Sequence, residues 1–159
     1  MASWEIIWEM GSDPGGEWMS VVIGLQEMQR ERQLKFERRL LRELSIEDMR
    51  GRIKRYFGEE YQDVLEEGYF DVAIEAYLLG ANYSKFGYYG ESEDDVRARC
   101  RREEKFLIDT LFNFILYWRE VTVSNAIDEG VFYCCEGFVG EWWKDGFKTG
   151  EKRYKMKLH

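Results

Sequence analysis

The chain contains one proline, Pro14, and none in the 145 residues that follow it. A fold of many strands and tight turns normally uses several prolines as edge and turn residues, so uninterrupted helices are favoured. Apolar periodicity supports this. Leu25, Met28, Phe36, Leu40 and Leu44 fall near one stripe of a first helix, among arginines and glutamates. Ser45-Ile46-Glu47-Asp48 reads as a capped start for a second, about Ile46 to Phe57, ending near Gly58. A third is expected from about Glu60 to Phe86, with Gly68 and Gly80 as either close-contact points or breaks. Ser92 with Asp95 starts a fourth, carried to about Glu120, and a last one spans about Ser124 to Thr149. The fold class expected is all-α, a single-domain bundle of about five helices. Its core comes mainly from the last two, and the tail beyond Lys148 is basic and frayed.

Size and composition fit one domain, with 159 residues of which 45% are hydrophobic and 16% aromatic. No stretch is long and apolar enough to span a bilayer; Phe106 to Trp118 comes nearest and carries Asp109 and Asn113. That pair suggests a solvent edge rather than a buried polar site. Three cysteines, Cys100, Cys134 and Cys135, make no disulfide framework and suit a reducing compartment, so a cytoplasmic location is expected.

Residues Met1 to Trp18 differ from the rest: they hold three of six tryptophans, the one proline and no lysine or arginine. Gly15-Gly16-Glu17-Trp18 can be encoded by a purine-rich stretch of the kind that recruits bacterial ribosomes, placed just before a start codon for Met19. Residues 1–18 are accordingly expected to be a non-native or disordered leader, and 19–159 a single helical domain. A genuine, loosely held arm is the alternative. A weak echo links Leu65–Phe70 to Ile127–Phe132 and raises a pseudo-symmetric bundle.

The net charge of −8 disfavours nucleic acid as a partner, yet Arg30 to Arg55 carries ten cations against five acids. Such a segment could hold an anionic polymer or membrane surface, or pack on carboxylates of its own body. The one histidine, His159, is the last residue, which removes hydrolase arrangements that need a histidine base and the Glu-x-x-His ligands of di-iron bundles. Cys134 and Cys135 are adjacent and lack Cys-x-x-Cys spacing, so core packing is their expected role. Glu67, Asp71 and Glu75 stand at four-residue steps on one helix face. Solvent, arginines of the basic segment or a hard divalent ion could each relieve their repulsion.

The least ordinary run is Tyr77 to Ser92, with four tyrosines, a phenylalanine and three glycines at a helix end and loop. Aromatics framed by glycines give contact area at low entropic cost, so the run is either a recognition surface or a cover for the core's end. Trp142-Trp143 raises the same question, since neighbours on a helix cannot both face one stripe. The segment Ala76-Tyr77-Leu78-Leu79-Gly80-Ala81-Asn82-Tyr83-Ser84-Lys85-Phe86-Gly87-Tyr88-Tyr89-Gly90-Glu91-Ser92 resembles that of the bacillus YbaK-like family of spore-forming Gram-positive bacteria, which is unrelated to the tRNA deacylase of that name. Trp142-Trp143-Lys144-Asp145-Gly146-Phe147 and the basic tail are similar too, and the resemblance runs from about Gln26 to the end. It implies a helical, cytoplasmic protein and brings no established activity, so no catalytic residue is carried over.

The functional expectation is a non-enzymatic protein-interaction or regulatory protein without a cofactor. Tyr83, Lys85, Phe86, Tyr88, Tyr89 and Trp143 are its partner-binding residues, and self-association as a homodimer is left open. The alternative is a small-ligand or divalent-metal enzyme using Glu67, Asp71 and Glu75.

Overall fold

The computed structural model describes residues 17–58, 63–122 and 129–156, and all regular structure there is helical. Six helices occur among these residues: α1 Glu17–Leu41, α2 Ile46–Phe57, α3 Asp63–Tyr88, α4 Glu93–Arg99, α5 Arg101–Thr122 and α6 Glu129–Lys155. The expected count of about five falls one short because the helix begun at Ser92 breaks at Cys100. Cys100 leaves helical geometry (φ −110°, ψ 23°) and donates its N–H to the Arg97 carbonyl, after which α5 restarts. Neither glycine nor proline marks that break.

The chain divides into two compact units, Met1–Arg39 and Leu40–His159. In the first, α1 exposes nearly every described side chain, Leu25, Met28 and Leu34 included. Residues 1–16, and with them most of the expected leader, lie outside the described residues, as do the first two residues of the Ile127–Phe132 echo.

The second unit is organised by α3 and α6. Contacts advance in the same sense along both: Tyr69 meets Phe138, Tyr77 meets Trp142, and Tyr88 meets Tyr154. The two helices therefore run parallel, which requires a return segment, and α4 and α5 supply it. This pair, rather than α5 and α6, forms the centre of the core. Leu111 and Ile115 are α5's buried contribution. Gly68 and Gly80 are contact points, not breaks, since α3 continues through both. A Cβ on Gly68 would strike the Phe114 ring, and one on Gly80 the Trp143 carbonyl.

The sequence-predicted cap of α2 is present: the Asp48 N–H donates to Ser45 Oγ at 3.3 Å, and Gly58 closes the helix at φ 68°. The buried face of α2 carries Met49 and Ile53, while Phe57 joins an aromatic cluster with Tyr69 and Phe138 at ring separations of 4.7 and 5.5 Å. Its arginines turn to the body's own carboxylates. Arg50 pairs with Glu66 at 2.8 Å, Arg55 with Glu141, and Arg52 with Asp48, Glu141 and Asp145 while lying 4.0 Å over the Trp142 ring. At least three of the segment's ten cations are thus used internally.

Candidate functional site

The aromatic run resolves into a helix end and a two-residue turn, more ordered than the loop expected from Gly87 to Glu91. α3 persists to Tyr88, and two bonds then close it: Glu91 N–H to the Phe86 carbonyl at 3.0 Å, and Gly90 N–H to the Gly87 carbonyl at 3.1 Å. This is the Schellman arrangement, and it needs the residue at Gly90 in the left-handed region, where φ is 111°. Ser92 caps α4 at once, its Oγ accepting from the Asp95 N–H at 3.2 Å. A helix stop and a helix start separated by so few residues fix the direction of every side chain on the turn.

Two of the six predicted partner-binding residues project from this end as aromatics. Tyr89 is 80% exposed and Tyr88 41%, with their rings edge to face at 5.2 Å. Tyr88 also stacks on Tyr154 of α6 at 5.7 Å. Burial, with Tyr89 second, raises the Tyr154 phenol above its ordinary value, so Tyr154 is uncharged near neutral pH. Lys85 is exposed one turn back. Tyr83 and Phe86 are half-buried and pack with Leu79 on the cluster of Val96, Cys100, Trp143 and Phe147.

Trp143 does not reach the surface. Its side chain is fully buried, stacked on Phe147 at 5.2 Å, and its Nε1 donates to Cys100 Sγ at 3.1 Å. Trp142 is buried as well, against Phe138 and Tyr77. The second interface that two adjacent tryptophans demand is supplied by α4 of the same chain. Burial pushes the Cys100 thiol from 9.0 up to about 11, so it stays protonated and inert. Cys135 is buried, Cys134 half-buried, and all three thiols are free.

Sequence reasoning missed two residues that hold the platform. Arg99 lies 4.2 Å over the Phe86 ring and donates from Nε to Glu91 at 2.8 Å. That hydrogen bond holds the Glu91 carboxyl below its ordinary value and pins the turn to α4. Tyr154 was hidden in the stretch expected to fray, but α6 runs to Lys155. The i, i+4 sequence of small and aromatic residues Gly146, Gly150, Tyr154 was the available signal.

Glu67, Asp71 and Glu75 share an exposed face of α3. Among the described residues no group of three or more histidine, cysteine or acidic side chains is placed to hold a metal ion. Asp109 is half-buried and Asn113 exposed, as a solvent edge requires. A cleft of about 420 Å³ opens between α4, α5 and α6, lined by Asp94, Arg97, Arg101, Glu104 and Glu136. Arg97 is committed there to Glu104, donating from Nε to both carboxylate oxygens at 3.1 Å. No described helix is long and apolar enough to cross a membrane.

Comparison with known proteins agrees with the resemblance in the aromatic run. The model of the family described as "Protein of unknown function (DUF2521)" matches residues 19–159. The chain belongs to the DUF2521 family. It is also 32% identical over 146 residues to the Uncharacterized protein YbaK of Bacillus subtilis (strain 168), covering 88% of this chain and 99% of that one. No solved structure matches it. Membership in the DUF2521 family brings the fold's sequence pattern and no assigned chemistry.

Proposed function

We propose that this DUF2521 protein is a non-enzymatic interaction protein that binds a protein partner through the aromatic end of α3. One observation carries the reading: Tyr88 and Tyr89 are exposed, yet a glycine turn, a capped helix and the Tyr154 stack hold them in fixed directions. Exposed aromatic side chains that are already ordered lose little entropy on binding, which is the property of interface anchors. Lys85 and the half-buried Phe86 extend the surface along α3. A cytoplasmic site of action fits three free thiols.

The test is capture of partners from a related bacillus by tagged wild-type protein and by the Tyr88→Ser, Tyr89→Ser double variant. The reading predicts a stoichiometric protein that survives nuclease treatment and is lost with the variant, whose circular dichroism stays unchanged. Equal capture by both proteins would refute this surface.

A further inference from the structure

The outer face of α6 carries a row of lysines that the fold leaves largely unused. Lys144, Lys148 and Lys152 stand at four-residue steps and Lys155 follows three residues later, so the four share one face. All are exposed. Lys155 pairs with Glu151 at 3.0 Å, whereas Lys144, Lys148 and Lys152 make no ion pair among the described residues. The neighbouring acids of α6 are committed elsewhere, Glu141 to Arg52 and Arg55 and Asp145 to Arg52. Cations in a last turn complement the helix dipole, but that effect fades within one turn and does not reach Lys144 or Lys148. In a chain of net charge −8, this face reverses the local sign.

The row runs into the aromatic platform. Tyr154, on which Tyr88 stacks, immediately precedes Lys155, and a Cβ on Gly87 would come within 3.1 Å of Glu151 Oε2. From Lys144 to Lys155 the row is about 16 Å long at 1.5 Å per helical residue. About five extended residues cover that distance. Charge selects the occupant. A nucleic acid or a membrane surface extends beyond the row and meets a body of net negative charge that repels it. A short acidic segment meets only the lysines.

Building on the partner site at Tyr88 and Tyr89, we propose that an acidic segment of the protein partner lies along Lys144, Lys148 and Lys152 and sets an aromatic side chain against the two tyrosines. The lysines attract the segment and fix its direction, and the tyrosines anchor its end. Glu151 opposes this, because it adds a negative charge to the row and holds Lys155.

Fluorescence anisotropy with the full chain and a labelled peptide of glutamates ending in tryptophan tests the proposal. Binding that weakens as salt rises is expected. The Lys148→Glu, Lys152→Glu variant should raise the dissociation constant by about tenfold or more, and Glu151→Gln should lower it. If the reversal reduces helix content, Lys148→Gln serves in its place and should weaken binding on its own. The Tyr88→Ser, Tyr89→Ser variant should weaken binding of this peptide and leave unchanged that of a peptide ending in glycine. Absence of binding by the wild-type chain at low salt overturns the proposal, as does equal binding of oligothymidylate or of phosphatidylglycerol vesicles. Lysine variants without effect overturn the lysine row and leave the tyrosines to their own test. An effect confined to the lysines retains the row and removes the aromatic anchor.

Discussion

Gly80 of α3 lies against the backbone of Trp143 in α6 with no space for a side chain between them. A Cβ there would overlap the Trp143 carbonyl and come within 2.9 Å of the Phe147 nitrogen. The relation is reciprocal, because a Cβ on Gly146 would overlap the carbonyl of Tyr77. Each glycine thus meets the residue three positions before the other. Gly150 and Ser84 repeat the arrangement one turn on, with a Gly150 Cβ placed 2.8 Å from the Ala81 carbonyl, and Tyr88 and Tyr154 stack one turn further. Two parallel helices approach closely along this line, and the Tyr88 platform stands at its end.

Gly80→Ala should therefore destabilise the protein by about 2 kcal/mol, because forced overpacking exceeds the roughly 1 kcal/mol that alanine gains in a helix. Gly51→Ala is the control. Nothing lies within 4 Å of a Cβ on Gly51, and the residue is exposed in α2. It should stabilise by about 0.5 to 1 kcal/mol. Urea unfolding of both variants measures the difference in sign.

The platform's turn makes its own prediction. Gly90→Ala imposes a side chain at φ 111°, although the space around it is open. A cost of about 1 to 2 kcal/mol is expected from backbone strain alone. Thermal unfolding would report it, and proteolysis at the α3–α4 turn should accelerate.

The closeness of α3 and α6 was only partly legible in the sequence. Gly80 was visible as a contact or a break, and nothing in its neighbours chose between them. The correspondence of Gly80 with Gly146 and Ser84 with Gly150 was concealed, because the intervening residues of the two helices share no identity. A six-residue echo elsewhere drew attention instead. The helix caps at Ser45 and Ser92 could be read directly, since a hydroxyl followed by acids satisfies free amides by local chemistry. The break at Cys100 could not, because packing of Trp143 on the thiol, a long-range contact, accompanies it. Trp143 was misjudged for a related reason: periodicity assumes one buried face, and α6 is covered on two.

Cys100 gives the chain an alkaline weakness. Its thiol is neutral up to about pH 11 when folded, whereas the unfolded thiol ionises near 9.0. Above pH 9 the unfolded chain therefore binds fewer protons than the native one, and stability falls as pH rises towards 11. Tyr77, Tyr83 and Tyr154, raised chiefly by burial, act in the same direction. Cys100→Ala should flatten the decline while lowering stability at pH 7, where Trp143 Nε1 loses its acceptor. Denaturation midpoints at several pH values between 8 and 10.5 would show whether the slope changes.

Glu104 is buried and holds Arg97 across the α4–α5 break, where the guanidinium also lies 5.8 Å from the Trp143 ring centre. Glu104→Leu should cost about 2 kcal/mol, since it leaves Arg97 part-buried without its carboxylate. Arg97→Met in the same chain should recover much of that loss. A double-mutant cycle separates the ion pair from packing.

Site-specific photocrosslinking in living bacilli tests the aromatic platform most directly. A photoreactive aromatic amino acid would replace Tyr89, or Phe106 on α5, which is 69% exposed and apart from the platform. The account predicts a covalent adduct of one defined mass at Tyr89 and none at Phe106. No adduct at Tyr89, or the same labelling at both positions, would contradict it.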